Sequence, residues 1–278
     1  PLRPGLPTPR PAGEEAAFKA MVDEALKAIA AGEIYQVNLA WEIRDLPVQS
    51  PIGSYLALRV ANPSQRSAFV RAKEWTLLSN SPELFLELKP SEHGLCIRSV
   101  PIKGTIESSE VNAEGRLRNS PKERAELTMI TDLVRNDLGR VACAGSVQAS
   151  KRRLRLCGDL LHAEQEITAK ARNGCDAIDI LTASFPPGSV TGAPKVRAME
   201  MIHQLESGPR GAYTGTIGSF FDDGSAHLNV AIRTATIHEG RARFHVGAGI
   251  VADSSPDGEW SETLSKGNML ARWLTARR

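Results

Sequence analysis

The chain has 278 residues, and its 34 lysines and arginines against 32 aspartates and glutamates leave a formal net charge of +2. Hydrophobic residues make up 41% of the chain, enough for a sizeable core in one large domain or two smaller ones. Because the charge is balanced and only 5% of residues are aromatic, we expect no nucleic-acid partner. The longest uncharged stretch, Ile180 to Pro194, contains prolines and glycines, so we expect no membrane-spanning helix and no membrane partner.

The cysteines and the N-terminal segment favour a cytoplasmic protein. The four cysteines, which include Cys96 and Cys157, are far apart and form no Cys-x-x-Cys pair, so we expect reduced, buried thiols rather than a zinc or redox site. Residues 1–13 are rich in proline and predict a linker or a cut end, without the charged and then apolar leader of a secreted protein.

Hydrophobic periodicity predicts the first elements. Apolar residues recur at helical spacing from Phe18 to Ile29, and Gly32 fits the cap at the end of that helix. From Ile34 to Ile43 the period changes to two, which predicts a strand with Gln36 and Asn38 on a solvated face. Shorter strand-like runs follow at Ala68–Arg71, Thr76–Leu78, Leu84–Leu88 and Leu95–Val100. This pattern predicts antiparallel sheet.

Capping and turn residues predict the second half. Ser120 and the following proline and glutamate predict a helix that runs to about Leu138. Further helices are predicted from Asp176 to Ser184, after Pro194, and from Glu259 to about Leu274. Between the last two, a three-stranded meander is predicted from the runs Tyr213–Phe221, His227–Ile237 and Ala242–Val246.

Two predicted helices begin with carboxylates three residues apart. These are Glu123 and Glu126 on one helix, and Glu259 and Glu262 on the other. If the two helix ends converge, the four carboxylates would offer the oxygen ligands that Mg²⁺ prefers. The alternative is that they only complement the helix dipoles. Lys266, four residues after Glu262, is either a surface ion partner or a cation aimed at the same anion.

Two further segments could hold an anion. The loop Pro186–Lys195 presents backbone N–H groups and a lysine at a helix start, although it lacks the spacing of a P-loop and a plain helix-entry turn is the alternative. Arg233 is predicted mid-strand among small residues, and Gly247 and Gly249 allow close approach to strand backbone. Together they suggest a seat for a carboxylate, with a structural salt bridge of Arg233 as the alternative.

Three side chains are candidates for proton transfer or covalent chemistry. Lys103 lies in a predicted tight loop, where it is either an exposed lysine or, in a cleft beside other cations, a nucleophile. Glu83 and His162 are candidate proton carriers if they line the same pocket.

Seven segments in the same order resemble the chorismate-utilising enzyme family, and they cover about Phe18 to Arg272. The segments are Ile34–Leu39, Ser81–Glu83, Pro101–Thr105, Glu123–Glu126, Asp132–Asp137, Val190–Lys195 and Gly247–Ser254. The resemblance implies an α+β fold, with an antiparallel sheet sandwich inside and helices outside, for a chorismate-binding catalytic domain over residues 14–278. Family members usually carry a further N-terminal region, and this sequence begins after it.

Within the family, the chain is most similar to aminodeoxychorismate synthase component I. Lys103 stands where anthranilate synthases typically have alanine. Gln36 stands where isochorismate- and salicylate-forming members have the lysine that activates water. The resemblance therefore implies amination of chorismate rather than attack by water.

The resemblance also implies a set of site residues. Mg²⁺ would be held by Glu126 and Glu262, with Glu123 and Glu259 acting through water. The chorismate site would include Gln36, Thr191, Gly192, Tyr213, Arg233, Gly247, Gly249 and Lys266.

By analogy with the family, Lys103 attacks C2 of chorismate while Glu83 protonates the departing C4 hydroxyl, and ammonia then enters at C4. His162 matches a family histidine near that hydroxyl. The residues that follow it, Ala163-Glu164-Gln165, depart from the usual Leu-Val-Ser.

Ammonia would come from a glutamine amidotransferase partner, because the sequence has no glutaminase nucleophile motif. Two alternatives remain open from the sequence. One is anthranilate synthase component I, and the other is a non-catalytic chorismate-binding module.

Overall fold

The structure is a computed structural model that describes residues 13–92 and 94–275. The predicted Pro-rich segment lies outside the described residues except for Gly13. The helices are α1 (Glu14–Ala30), α2 (Pro51–Ala61), α3 (Ala113–Asn119), α4 (Pro121–Gly139), α5 (Ala177–Ser184), α6 (Lys195–Leu205) and α7 (Pro256–Leu274). The strands are β1 (Gln36–Pro47), β2 (Arg66–Arg71), β3 (Trp75–Ser81), β4 (Leu84–Ser91), β5 (Gly94–Val100), β6 (Ile102–Glu107), β7 (Gln148–Ala149), β8 (Arg153–Cys157), β9 (Leu160–Glu164), β10 (Ile167–Lys170), β11 (Gly192–Ala193), β12 (Thr216–Phe220), β13 (Ala226–Val230), β14 (Thr234–His238) and β15 (Arg241–Ile250).

The described residues form two compact units. The first unit takes in 13–81, 190–215 and 231–275, and the second takes in 82–92, 94–189 and 216–230. Antiparallel sheets and helices occur in both, so the predicted α+β class is confirmed. The four cysteines are free thiols, but only Cys157 is buried. Among the described helices, none combines the length and apolarity needed to cross a membrane.

In the described part of the chain, the first unit contains a six-stranded sheet in the order β11-β1-β15-β14-β3-β2. α1 and α7 pack on β1 and β15, and α2 packs on α7. Phe18, Trp41 and Trp260 meet in the resulting core, with the rings of the two tryptophans 4.9 Å apart. The Trp41 indole Nε1 donates to Thr263 Oγ1 at 3.0 Å, so this buried polar atom is satisfied.

The second unit, over its described residues, contains a six-stranded sheet, β12-β13-β4-β5-β10-β7, and a three-stranded sheet, β6-β9-β8. α3 and α4 pack against β6 and β9. Leu117, Leu127 and Ala163 form a small core where they meet. This packing brings the first turns of α4 next to the strand that carries Lys103.

α4 and α7 begin in the same way, with a serine cap followed by proline. Ser120 Oγ accepts a hydrogen bond from Glu123 N at 3.3 Å, and Ser255 Oγ accepts one from Gly258 N at 3.2 Å. Proline suits the first helical position because its missing N–H has no partner there anyway. α7 therefore begins at Pro256, earlier than predicted, and Glu259 lies in its first turn.

The predicted three-stranded meander is wrong. β12 pairs with β13 in the second unit, whereas β14 pairs with β15 in the first unit. The strand predicted from His227 to Ile237 is interrupted between β13 and β14. Arg233 lies at this interruption and has a φ of +50°, a left-handed conformation that is uncommon for residues other than glycine. Arg233 is therefore not mid-strand as predicted, and its carbonyl accepts a hydrogen bond from Asn80 N at 3.0 Å.

The prediction that Gln36 and Asn38 face solvent is also wrong. Their exposed fractions are 0% and 7%. β1 is an inner strand with β11 on one side and β15 on the other, and α1 and α6 pack against it, so it has little contact with solvent. Alternation of polar and apolar residues identified the strand but not the burial of its polar face.

We expect Phe18→Ala to lower the free energy of unfolding by about 3–5 kcal/mol, because it empties a site in the first-unit core that is fully buried. The check is urea unfolding of the chain. The control is Val60→Ala on α2, where the side chain is 81% exposed and we expect a change within about 0.5 kcal/mol. Equal effects of the two substitutions would contradict the packing described above.

Candidate active site

In the first unit, several of the predicted substrate residues lie around one end of β1, whereas Arg233 contacts β3. Val37 pairs with Gly192 of β11, and Asn38 pairs with Gly249 of β15. The Asn38 N–H also donates to Thr191 O at 2.7 Å. Thr191, Gly192 and Gly249 therefore lie against the backbone of β1 next to Gln36.

Gly192 is required by close backbone approach. Its φ is +149°, and a Cβ there would lie against Gln36 O and 2.8 Å from the Ala198 Cβ. Only glycine fits at such a position without moving its neighbours. The Val190–Lys195 segment is thereby pressed against β1 rather than forming an open loop.

Tyr213, Gly247 and Lys266 form a second part of this group. Lys266 Nζ donates to Gly247 O at 2.9 Å and lies 2.6 Å from a Glu262 carboxylate oxygen. A Cβ on Gly247 would come within 2.7 Å of the Tyr213 hydroxyl. Burial raises the pKa of the Tyr213 phenol, so its hydroxyl stays protonated at neutral pH and can donate a hydrogen bond.

Tyr213 is held by two neighbours that the sequence analysis did not identify. Its ring stacks on His245, with centroids 5.5 Å apart, and the Arg210 guanidinium lies 5.7 Å from the ring centroid. Burial lowers the pKa of His245 to about 4, so this imidazole is neutral at neutral pH. Arg210 also donates to Asn38 O at 2.6 Å and to Val190 O at 2.9 Å.

Arg210 therefore ties β1 to the segment that carries Thr191. Its charge is balanced by Glu206, whose carboxylate also accepts the Ala40 N–H at 2.9 Å. The four-residue spacing of Glu206 and Arg210 in the sequence could have indicated this ion pair. It carried little weight because glycine and proline lie between them and exclude a helix.

The Gln36 side chain is an unusual feature of the first unit. It is fully buried, and neither its amide nitrogen nor its amide oxygen has a hydrogen-bond partner among residues 13–92 and 94–275. Buried polar groups without partners are rare because each costs free energy. A polar ligand at this point would satisfy both atoms.

In the second unit, Lys103 lies in β6 and not in the predicted tight loop. It pairs with Ala163 of β9, and its side chain is only 13% exposed. Its Nζ lies 3.7 Å from a carboxylate oxygen of Glu126 on α4. The amine is therefore enclosed and has an acidic neighbour, so the alternative of an exposed lysine is wrong.

Gly104 brings α4 close to β6. Its φ is +80°, and a Cβ there would lie 2.7 Å from a Glu123 carboxylate oxygen and 2.8 Å from Leu117. Both carboxylates of the predicted α4 pair, Glu123 and Glu126, therefore lie against the Lys103–Gly104 segment. Carboxylates that only complemented the helix dipole would not need to contact the Lys103–Gly104 segment.

His162 lies on β9, the strand next to Lys103. It is 1% exposed, and Thr105 Oγ1 lies 2.8 Å from its Nδ1. A hydrogen bond to one ring nitrogen fixes the orientation of the ring. The sequence analysis did not identify Thr105, because its role depends on the pairing of β6 with β9.

Glu83 lies in the short connection between β3 and β4 and is 4% exposed. Its carbonyl accepts a hydrogen bond from Val230 N at 3.2 Å. A cavity of about 10 Å³ adjoins it, lined in part by Asp137 and Ser184. This is room for about one water molecule.

A larger cleft of the second unit, about 670 Å³, lies elsewhere. It is lined by residues of β4, β5 and β10 and by the Cys143–Ser146 segment, and it contains none of the predicted site residues.

The α7 carboxylates differ in burial. Glu259 is 5% exposed and accepts a hydrogen bond from Ser254 Oγ at 2.6 Å, whereas the Glu262 side chain is half-exposed beside Lys266. Over residues 13–92 and 94–275, no three His, Cys, Asp or Glu side chains form a metal-binding group. The carboxylates on α4 and α7 are still donors of the type that Mg²⁺ prefers, and this ion usually keeps water and substrate oxygens as further ligands. Within each unit, the carboxylate pair therefore suits magnesium by its donor chemistry.

Comparison with known proteins agrees with these features. A family described as chorismate binding enzyme matches residues 3–272. The chain is 41% identical over 249 residues to aminodeoxychorismate synthase component 1 of Escherichia coli (strain K12), which covers 87% of this chain and 54% of that protein. It is 37% identical over 261 residues to anthranilate synthase component 1 of Aquifex aeolicus (strain VF5), which covers 92% of this chain and 52% of that protein.

The crystal structure of anthranilate synthase component I from Streptococcus pneumoniae TIGR4 has the same fold. It superposes with a TM-score of 0.87 at 32% identity and covers 97% of this chain and 61% of that chain. The chain thus spans about half the length of the curated relatives it matches. Because the family match extends over nearly the whole sequence and the identities exceed a third, the chain belongs to the chorismate-binding enzyme family.

Proposed function

We propose that residues 14–278 catalyse the amination of chorismate by ammonia to 4-amino-4-deoxychorismate, the precursor of p-aminobenzoate in folate synthesis. The observation that carries this proposal is Lys103, an enclosed amine 3.7 Å from Glu126, in a family whose members act on chorismate. The neighbour of this amine is a carboxylate rather than the cations expected from the sequence, so the amine must lose a proton before it can form and later release a carbon–nitrogen bond.

The first-unit residues have the chemistry to bind a substrate with two carboxylates. Lys266 and Arg233 supply positive charge, and the protonated Tyr213 hydroxyl supplies a donor. The unpartnered amide of Gln36 supplies both a donor and an acceptor. Thr191, Gly192, Gly247 and Gly249 would complete this part of the site beside β1.

Glu126 and Glu262 would hold Mg²⁺, with Glu123 and Glu259 acting through water. When bound, the ion would orient a substrate carboxylate and act as a Lewis acid.

In the proposed first step, the unprotonated Lys103 Nζ attacks C2 of chorismate, and both ring double bonds shift by one position toward C4. The C4 hydroxyl leaves as water with a proton from Glu83, and the proton that the Lys103 nitrogen loses restores the Glu83 carboxyl. In the second step, ammonia attacks C4, both double bonds shift back, and the departing Lys103 nitrogen takes up the proton that the new C4 amine loses. The net change replaces hydroxyl by amine and releases one water, and the enolpyruvyl group is retained.

Glu83 must be protonated to act in this way. His162, oriented by Thr105, would assist at the leaving hydroxyl. Ammonia would be supplied by a glutamine amidotransferase subunit, since the related E. coli and A. aeolicus proteins are each called component 1.

A second candidate is the synthesis of anthranilate. The 37% identity to the A. aeolicus anthranilate synthase component favours it, because this value is close to the 41% found for the E. coli aminodeoxychorismate synthase component. The two reactions differ in whether the enolpyruvyl group stays on the product.

We expect incubation with chorismate, Mg²⁺ and ammonium to give a product that keeps the enolpyruvyl group, with no release of pyruvate. The measurement is product mass together with a pyruvate assay. Pyruvate release with an aromatic product would instead establish anthranilate synthesis. Chorismate binding without any turnover would indicate a binding module.

We expect Lys103→Ala to reduce product formation by about 10³-fold or more, since it removes the proposed covalent catalyst. The control is Lys89→Ala, which removes a lysine that is 64% exposed on a strand of the same unit, and it should keep wild-type turnover. Thermal unfolding of both variants checks the fold, because Lys103 lies in a strand rather than a loop. Wild-type rates in Lys103→Ala would remove this residue from the mechanism.

We expect Glu126→Gln and Glu262→Gln each to raise the Mg²⁺ concentration for half-maximal activity by about tenfold or more, because an amide lacks the charge that this ion prefers. A Mg²⁺ titration of turnover measures the effect. Glu114→Gln on α3, whose carboxylate is 68% exposed, is the matched control and should leave the titration unchanged. Identical Mg²⁺ titration curves for all three variants would mean that Glu126 and Glu262 have only a structural role.

A further inference from the structure

One buried carboxylate of the second unit stands where the family pattern has a different residue, and two arginines pair with it. Glu164 follows His162 by two residues on β9, and its side chain is 2% exposed. It accepts hydrogen bonds from Arg153 Nε at 2.8 Å and from Arg155 Nε at 2.6 Å. A carboxylate this deeply buried is tolerated only with cationic partners, so β8 must supply them.

The two arginines differ in what else they contact. The Arg153 side chain is 51% exposed and lies 3.7 Å from a Glu166 oxygen. Arg155 is less exposed, and its Nη2 donates to the backbone carbonyl of Pro82 at 3.0 Å. Arg155 therefore joins Glu164 to the connection that carries Glu83.

The Pro82–Glu83 peptide is held from both ends. Arg155 binds the carbonyl that precedes Glu83, and the Glu83 carbonyl accepts the Val230 N–H at 3.2 Å. These two contacts restrict rotation about the backbone of Glu83. The direction of its side chain follows from the orientation of its backbone.

The same arginine borders His162. Arg155 is directly opposite His162 in the β8–β9 ladder, and directly opposite residues in an antiparallel pair lie on the same face. Thr105 is opposite His162 on the other side, in β6. Arg155 thus contacts the residue before Glu83 and is the ladder partner of His162.

We propose that Arg155, anchored by Glu164, is a positioning residue that fixes the backbone of the proton donor Glu83. The inference rests on the proposed function, in which Glu83 protonates the leaving hydroxyl. Arginine suits this role because its planar guanidinium holds two acceptors in a fixed geometry, here the Glu164 carboxylate and the Pro82 carbonyl. Arg153 shares the carboxylate but supplies only charge balance.

The test compares Arg155→Met with Arg153→Met in the full chain, with chorismate, Mg²⁺ and ammonium. Misplacement of a proton donor slows the chemical step, so kcat of Arg155→Met should fall about 10- to 100-fold with KM for chorismate changed less than about threefold. Arg153→Met should keep kcat within about twofold of wild type, since both variants remove one partner of Glu164 but only one removes the Pro82 contact.

A further variant covers the case in which Arg155→Met does not fold. Arg155→Met combined with Glu164→Gln removes the carboxylate's charge together with its partner, so no unpaired buried charge remains. This double variant should show the same loss of kcat. Wild-type kcat in a folded Arg155 variant, or an equal loss in Arg153→Met, would overturn the proposal.

Amide hydrogen exchange at Val230 gives a readout that does not depend on turnover. Because Val230 N bonds to the Glu83 carbonyl, loss of the Pro82 contact should speed its exchange by about fivefold or more in Arg155→Met and leave it unchanged in Arg153→Met. Unchanged exchange in Arg155→Met would overturn the positioning role. If the wild-type chain forms no aminated product, the proposed function fails, and exchange at Val230 still decides whether Arg155 holds this peptide.

Discussion

Pairing of enclosed charges is the constraint on which the candidate site depends. Removing a charge from water is costly unless a partner of opposite sign lies next to it, so each such pair fixes the elements that carry it. In the first unit, Glu206 and Arg210 join β1 to the segment before β11. In the second unit, Lys103 and Glu126 join β6 to α4. These pairs define the arrangement of site residues more than they add to stability.

Glycine provides the second constraint, because it lets backbones approach where any side chain would collide. Gly104 brings β6 against Glu123, Gly192 lies against β1, and Gly247 lies against the Tyr213 hydroxyl. Each of these glycines is adjacent to a group that the proposed chemistry uses. Close packing and charge pairing therefore act on the same few segments and leave the candidate side chains little freedom to move.

The fold by itself does not distinguish the members of this family. A structure of anthranilate synthase component I superposes on nearly all of this chain, and relatives with two different reactions have similar identities. The difference must arise from individual groups, because swapping an amine for a methyl group changes the available chemistry without changing the packing of a strand. The proposed amination at C4 rests on one such group, the enclosed amine of Lys103.

The sequence alone determined the elements with strong local signals and the residues within short motifs. The first helix and the serine-capped α4 were predicted correctly because caps and periodicity depend on neighbours in the chain. Tertiary structure decided the rest. Only strand pairing placed Thr105 beside His162, buried Gln36, and moved β14 to a different sheet from β13 at Arg233. These outcomes depend on residues far apart in the chain, whose contacts leave no periodic trace in the sequence.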